Sequence, residues 1–302
     1  MTQEHCFRIA DFLLLVRMAD KMDADALLPN FQTFRCGIPK ERQALFTCDV
    51  LPLDGVDSTV AHGSLLEEAE NEMGRLRLYS RPGGYLLTLD DKTGHECHLL
   101  QADKAFNRLR AYIGTDHPGK AGQALSSLLR IAYSQAILYH DAVAVHASAV
   151  YYDGHAYLFM GKSGTGKSTH ASLWMKHISG SALLNDDNPT LRLTENGIRA
   201  YGTPWSGKTP CYKPLSFPVG GIVRLQQAPY NRFHRRECID AFVALYPGCS
   251  FLHKDSVMQN RVCDTLVRIV QAVPVGVLEC LPDEKAAFLC RQAFTRTERL
   301  KQ

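Results

Sequence analysis

Over the first 112 residues the apolar positions come in short runs punctuated by turn residues. Phe12-Leu13-Leu14-Leu15-Val16 and Tyr85-Leu86-Leu87-Thr88-Leu89 are of strand length, and Pro82-Gly83-Gly84 and Asp54-Gly55 supply turns. Such runs predict strands. From Asp103 to Ile113 the pattern changes: Phe106, Leu109, Arg110 and Ile113 recur at three- and four-residue spacing, which predicts a helix. The stretch from Tyr112 to Lys120 collects Gly, Pro and Asp. The predicted domain boundary lies there, dividing 1–118, a strand-rich α+β domain, from 119–302.

Beyond it, Ala121 to Tyr139 carries Leu125, Leu128, Leu129, Ala132, Ala136 and Leu138 at helical spacing. Three apolar segments of strand length follow: Ala142 to Tyr152, Ala156 to Met160 and Ala182 to Leu184. Asp153-Gly154 turns between the first two, and a glycine-rich loop with a short helix separates the second from the third. Strands alternating with helices predict an α/β core.

Between Ala156–Met160 and the helix lies Gly161-Lys162-Ser163-Gly164-Thr165-Gly166-Lys167-Ser168, which fits the phosphate-loop pattern GxxxxGK[ST] without a gap. Glycines let the backbone turn tightly and aim N–H groups at anionic oxygens, and the following helix adds about half a positive charge at its N-terminus. In that chemistry Lys167 reaches the outer phosphates and Ser168 ligates the bridging magnesium. Gly161, Ser163, Gly164, Thr165, Gly166, Lys167, Ser168 and Thr169 are therefore the expected nucleotide contacts.

Asn185-Asp186-Asp187 follows 19 residues after Lys167, counted to Asp186, room for one short helix and a return to an adjacent strand. Paired carboxylates at that strand end have two jobs open to them, holding a metal and accepting the proton of an attacking hydroxyl. His146 stands on the strand before the loop and could share the pocket, although a lone His among apolar residues is more often a core residue. The Gly- and Pro-rich stretch Tyr201 to Lys213 is either a rigid connector or a substrate loop. In the second case Lys208 or Lys213 steadies transferring charge and Trp205 covers a base or a peptide side chain.

Composition narrows the partners. With 302 residues, 45% hydrophobic and 22% charged, the chain has the profile of a globular protein of two ordinary domains or one large one and not of a disordered or collagen-like one. A net charge of +3 gives no case for duplex nucleic acid. Ten cysteines without a CxxC pair read as small buried hydrophobes in a reducing compartment, so a cytoplasmic location is expected. No run of about 18 apolar residues predicts a membrane span. His95-Glu96-Cys97-His98 lacks a second ligand cluster and reads as a strand end. Arg232, His234, Arg235 and Arg236 read as an exposed basic face.

Val145-His146-Ala147-Ser148, then Gly161 to Ser168, then Leu184-Asn185-Asp186-Asp187 resemble, in that order, the catalytic half of HPr kinase/phosphorylase. The loop through Thr169 is also similar to that of ATP-dependent phosphoenolpyruvate carboxykinase, which shares the nucleotide-binding core. The resemblance spans about residues 130 to 215. It implies a P-loop ATP-binding kinase domain, with Lys167 on the β- and γ-phosphates and Ser168 on Mg²⁺. Asp186 and Asp187 become metal ligand and catalytic base, and His146 joins the catalytic pocket. ATP would be the donor and a hydroxyl the acceptor, most often Ser or Thr of a protein or peptide, and by analogy the chain would assemble as a homo-oligomeric ring. The family's Glu-x-Arg-Gly element has no counterpart in Leu215 to Val223, which lacks both the acid and the Arg. A small-metabolite kinase and a non-catalytic ATP sensor or adaptor remain as alternatives.

Overall fold

The computed structural model describes residues 2–38, 43–55, 63–71, 74–90, 97–114, 118–207 and 209–299. The chain divides into two compact units: residues 1–139 with 252–256, and 140–251 with 257–302. Both are mixed α/β around a large sheet. Among the described residues no helix is long and apolar enough to cross a membrane.

The first unit has eight strands: β1 (Thr2–Ile9), β2 (Phe12–Ala19), β3 (Phe46–Pro52), β4 (Ser64–Asn71), β5 (Gly74–Arg81), β6 (Gly84–Asp90), β7 (Cys97–Asp103) and β8 (Arg108–Ile113). They form one sheet in the order β1-β2-β3-β8-β7-β6-β5-β4, with β3 parallel to both its neighbours and every other pair antiparallel. Alternation decides which face is buried: Cys48 and Val50 on β3 and Leu109 and Ala111 on β8 lie inside, while Thr47, Asp49, Arg108 and Arg110 point the other way. The short helix α1 (Ala24–Leu27) and the long helix α2 (Pro118–Ala136) pack in this unit, where Leu125, Leu128, Leu129, Ala132 and Tyr133 are all fully buried.

One expectation is corrected here. Residues 103 to 113 are not helical but a turn leading into β8, with Phe106 at φ +57° in the turn. Phe106, Leu109 and Ile113 are all buried, so their spacing reflects one turn residue plus an alternating strand; eleven residues with this mixture mimic a helical period. Helix α2 groups with the first unit, which runs through Tyr139 and takes in Leu252–Ser256.

The second unit has nine strands: β9 (Ala142–Ala144), β10 (Ala147–Tyr152), β11 (His155–Met160), β12 (Ala182–Asp187), β13 (Thr190–Thr194), β14 (Gly197–Tyr201), β15 (Ser216–Gln227), β16 (Arg232–Arg236) and β17 (Val275–Cys280). The main path is β12-β10-β11-β15-β14-β13-β9, and β17 pairs with β15 and β16. Its helices are α3 (Lys167–His177), α4 (Cys238–Leu245), α5 (Ser256–Ala272) and α6 (Glu284–Arg299). A core of Tyr157, Phe159, Trp174, Val223, Leu278, Cys290 and Phe294 joins α3 and α6 to the sheet. Gly221 is small for a packing reason, since a Cβ there would stand 2.4 Å from the Phe294 ring.

The segment read as a single strand, Ala142 to Tyr152, is two. β9 pairs with β13 and β10 with β11 and β12, and the chain breaks step at Val145-His146. The return strand β12 also lies beside β10, one strand removed from β11 and not adjacent to it. Both differences shape the site.

Candidate functional site

The loop from Gly161 to Gly166 leaves the end of β11 and enters α3. Gly161, Gly164 and Gly166 have φ of +155°, +81° and +96°, a region L side chains rarely adopt, so these glycines are required by the path of the chain. The Thr165 hydroxyl donates to the Lys162 carbonyl at 2.8 Å, and Gln227 Nε2 donates to the Gly164 carbonyl at 3.2 Å, which hold the loop open. Gly166 is the N-cap of α3 and offers no side-chain cap, so the first N–H groups of the helix lack a helical acceptor. Ser163 and Thr169 are exposed on either side.

Lys167 is buried, and its Nζ donates to the carbonyls of Gly161 at 3.1 Å and Lys162 at 3.3 Å. Burial pushes its pKa down, opposed by the carboxylates of Asp187 and Asp186. An ammonium held by neutral carbonyls and short of solvent is only partly compensated for the water it has lost. His170, one turn on, is different: it is buried, accepts from the Trp174 indole N–H at 3.2 Å, and is pushed down to about 4 by desolvation, so it is neutral core.

The strand order brings the other groups to this loop. Because β12 pairs with β10, Ser148 stands opposite Asp186 and Ala147 opposite Asp187. The Ser148 hydroxyl donates to Asp186 Oδ1, the Ser168 hydroxyl donates to the same oxygen at 2.9 Å, and the two hydroxyls are 3.5 Å apart. Asp186 is almost wholly buried; Asp187 is more open, and its Oδ1 lies 2.9 Å from His146 Nδ1. The break between β9 and β10 is what frees His146 to do this, with its own N–H donated to the Gly248 carbonyl at 2.7 Å. Asp187 sits at φ +148°, a strained conformation of a kind found at functional sites.

The Tyr201–Lys213 stretch is pinned under the Asp pair. Asn185, fully buried, donates to the carbonyls of Thr203 at 3.2 Å and Trp205 at 3.0 Å and accepts from the Asn188 N–H at 2.9 Å. The Ser206 hydroxyl and the Gly207 N–H both donate to the Asp186 carbonyl. Trp205 is 5% exposed: its carbonyl accepts from Asn185 and its ring goes into the interior. Lys213 is likewise engaged elsewhere, donating to the Leu183 carbonyl at 2.7 Å with its ammonium 5.5 Å from the Tyr151 ring. Lys208, expected to neutralise charge, lies outside the described residues, as do His95 and Glu96. His98 is buried and its Nδ1 accepts from the Gly114 N–H at 3.1 Å, which makes it structural.

Of the residues expected to act together, the structure gathers Lys167, Ser168, Asp186, Asp187 and His146. Sequence reasoning assigned no role to Ser148, although it lay inside the quoted Val145–Ser148 segment. Its signal was a polar residue in a run of small apolar ones, and only the β10–β12 register says which carboxylate it meets. Among the described residues no group of three or more His, Cys, Asp or Glu could hold a metal alone. The oxygens present, Ser168 Oγ and Asp186 Oδ1, are the hard donors that suit Mg²⁺ when phosphate and water fill the other positions.

Fold and site together define an α/β protein whose glycine loop, between a strand and a helix, faces a buried and a half-open aspartate. No family model matches the chain, and no curated protein matches it. The chain is similar to the solved structure of the HPr(Ser) kinase/phosphatase from Coxiella burnetii, at 14% identity and a TM-score of 0.31, over 52% of this chain and 91% of that one. At that level the likeness carries no argument about what this chain does.

Proposed function

We propose that the protein is an ATP-dependent kinase that transfers the γ-phosphoryl group to a hydroxyl, most readily Ser or Thr of a protein or peptide. One observation carries the reading: the Ser168 hydroxyl, at the start of the helix after the glycine loop, donates to Asp186 at 2.9 Å, so loop and carboxylate pair share one spot. When bound, Mg-ATP supplies the phosphoryl group and the electrophilic charge at its γ-phosphorus.

In this reading the loop N–H groups and Lys167 hold the phosphates, Lys167 exchanging the Gly161 and Lys162 carbonyls for phosphate oxygens. Ser168 and Asp186 take the magnesium side, since Asp186 is buried and already fixed by two hydroxyls. Asp187 accepts the acceptor's proton: it is the more open carboxylate, and His146 fixes its orientation. Ser148 positions Asp186 and touches no substrate.

The test incubates the purified protein with γ-labelled ATP and Mg²⁺, once with peptides and proteins and once with small metabolites, and reads the products by mass spectrometry. A labelled Ser or Thr that vanishes with Lys167→Ala is the expected result. Label confined to a metabolite would move the acceptor class. ATP binding without transfer, and with little lost in Asp186→Asn/Asp187→Asn beyond metal affinity, would replace the kinase by a sensor.

A further inference from the structure

The first unit carries a groove of about 530 Å³ that the phosphotransfer reading does not use. It lies on the polar face of the eight-stranded sheet and closes at the Arg81-Pro82-Gly83-Gly84 turn. Four arginines line it, Arg17, Arg81, Arg108 and Arg110, against two carboxylates, Asp49 and Asp103. Arg17 is occupied, 3.0 Å from Glu4 and 3.8 Å from Asp49, and Asp103 caps its own turn by accepting the Asn107 N–H at 2.7 Å. Among the described residues, Arg81, Arg108 and Arg110 have no acidic partner. Three guanidiniums without a salt-bridge partner among the described residues line a concavity of ordinary ligand size.

Register gives the spacing of these charges. Arg17 aligns with Asp49, and Asp49 with Arg110, so the two arginines are two strands apart, roughly 10 Å. Arg108 and Arg110 alternate on one strand, roughly 7 Å apart. A single phosphate or small carboxylate cannot span that distribution. An extended peptide can, because its own side chains repeat on one face every two residues, at the same roughly 7 Å interval. Asp49 stands between Arg17 and Arg110, where it disfavours a continuous phosphate backbone but can accept an amide N–H or a hydroxyl from a peptide.

We propose that this groove binds an extended acidic peptide segment, with carboxylates at alternate positions meeting Arg108 and Arg110. The inference stands apart from the phosphotransfer reading, because binding is measured without nucleotide.

The test titrates the full chain into a fluorescein-labelled octapeptide of alternating Glu and Ser at about 50 mM salt, where screening is weak, and follows anisotropy. A Lys/Ser peptide, an oligonucleotide of equal length and citrate are run beside it. Saturable binding of the Glu/Ser peptide alone is expected, weakened about tenfold or more by Arg108→Glu/Arg110→Glu. Arg108→Gln/Arg110→Gln should weaken it less, and Arg235→Glu, on β16 of the other unit, should leave it unchanged. Arg108 and Arg110 are both exposed, and circular dichroism of each variant separates lost binding from lost fold. The proposal is overturned if the Glu/Ser peptide does not bind, if both folded double variants bind as wild type does, or if the oligonucleotide or citrate binds as tightly as the peptide.

Discussion

Lys167→Met separates a phosphate ligand from a structural peg, because the two roles predict opposite changes. Without ligand, the substitution deletes two hydrogen bonds from a charged donor, at about 1.5–3 kcal/mol each. It also removes a buried ammonium, whose desolvation costs several kcal/mol; the depressed pKa of Lys167 is the sign of that cost. The two oppose each other, so the ligand-free variant should lose clearly less stability than the roughly 3–6 kcal/mol that the two bonds alone would cost. Mg-ATP at about 100 times its Kd stabilises the wild type by about 2.7 kcal/mol. At about 2–4 °C per kcal/mol for a unit of this size, that raises its Tm by about 5 to 10 °C. A variant binding about a hundredfold more weakly gains only about 0.4 kcal/mol, a shift of about 1 to 2 °C. Scanning fluorimetry of both proteins with and without Mg-ATP reads all four values. An equal ATP shift in the two proteins would refute the phosphate assignment. A ligand-free variant that melts far below wild type would show that Lys167 is a peg.

Three further expectations follow from the second unit. His170, pushed down to about 4 by burial, refuses a proton that the unfolded chain takes near 6.5, so the stability it permits is whole above about 6.5 and is lost as pH falls toward 4. That loss is about 1.4 kcal/mol per pH unit, or about 2 kcal/mol between pH 6.5 and 5. Urea midpoints of His170→Gln should fall less steeply over that range, and equal slopes would sink the argument. Ser148→Ala deletes a hydroxyl bonded to a buried carboxylate, so it should cost about 1.5–3 kcal/mol in urea unfolding. In the kinase reading it should also raise the Mg²⁺ requirement, which Ser148→Thr should restore; a stability loss with unaltered metal dependence would leave Ser148 purely structural. Gly221→Ala drives a methyl into the Phe294 ring and should cost about 1–3 kcal/mol by overpacking; an unchanged midpoint would mean that α6 can move away.

The loop between β11 and α3 was legible because its constraints are local: a strand of apolar residues, glycines where φ must be positive, and Lys-Ser at the helix start all fall within a dozen residues. The position of the Asp pair was legible only as a distance along the chain. The expected adjacency of β11 and β12 failed because 19 residues permit a helix to cross one strand as well as none, and here α3 crosses β10. That single crossing is what puts Ser148 against Asp186, a pairing across 38 positions that no periodicity encodes. His146 shows the same limit. A mostly apolar run from Ala142 to Tyr152 reads as one strand, yet its halves pair with different neighbours, and the step between them turns the histidine from a core position to the Asp187 carboxylate. The burial of the Trp205 ring was hidden for the converse reason: its exposure depends on Asn185, 20 residues earlier, drawing the Thr203–Trp205 carbonyls inward. In each case the side chain's chemistry was readable and its partner was not, because the partner is chosen by strand order. Asp187 makes the cost of that choice concrete. At φ +148° it carries strain of about 1–3 kcal/mol, which Asp187→Gly would relieve while deleting the carboxylate, so a more stable but inactive variant is the signature of a residue held in place for chemistry.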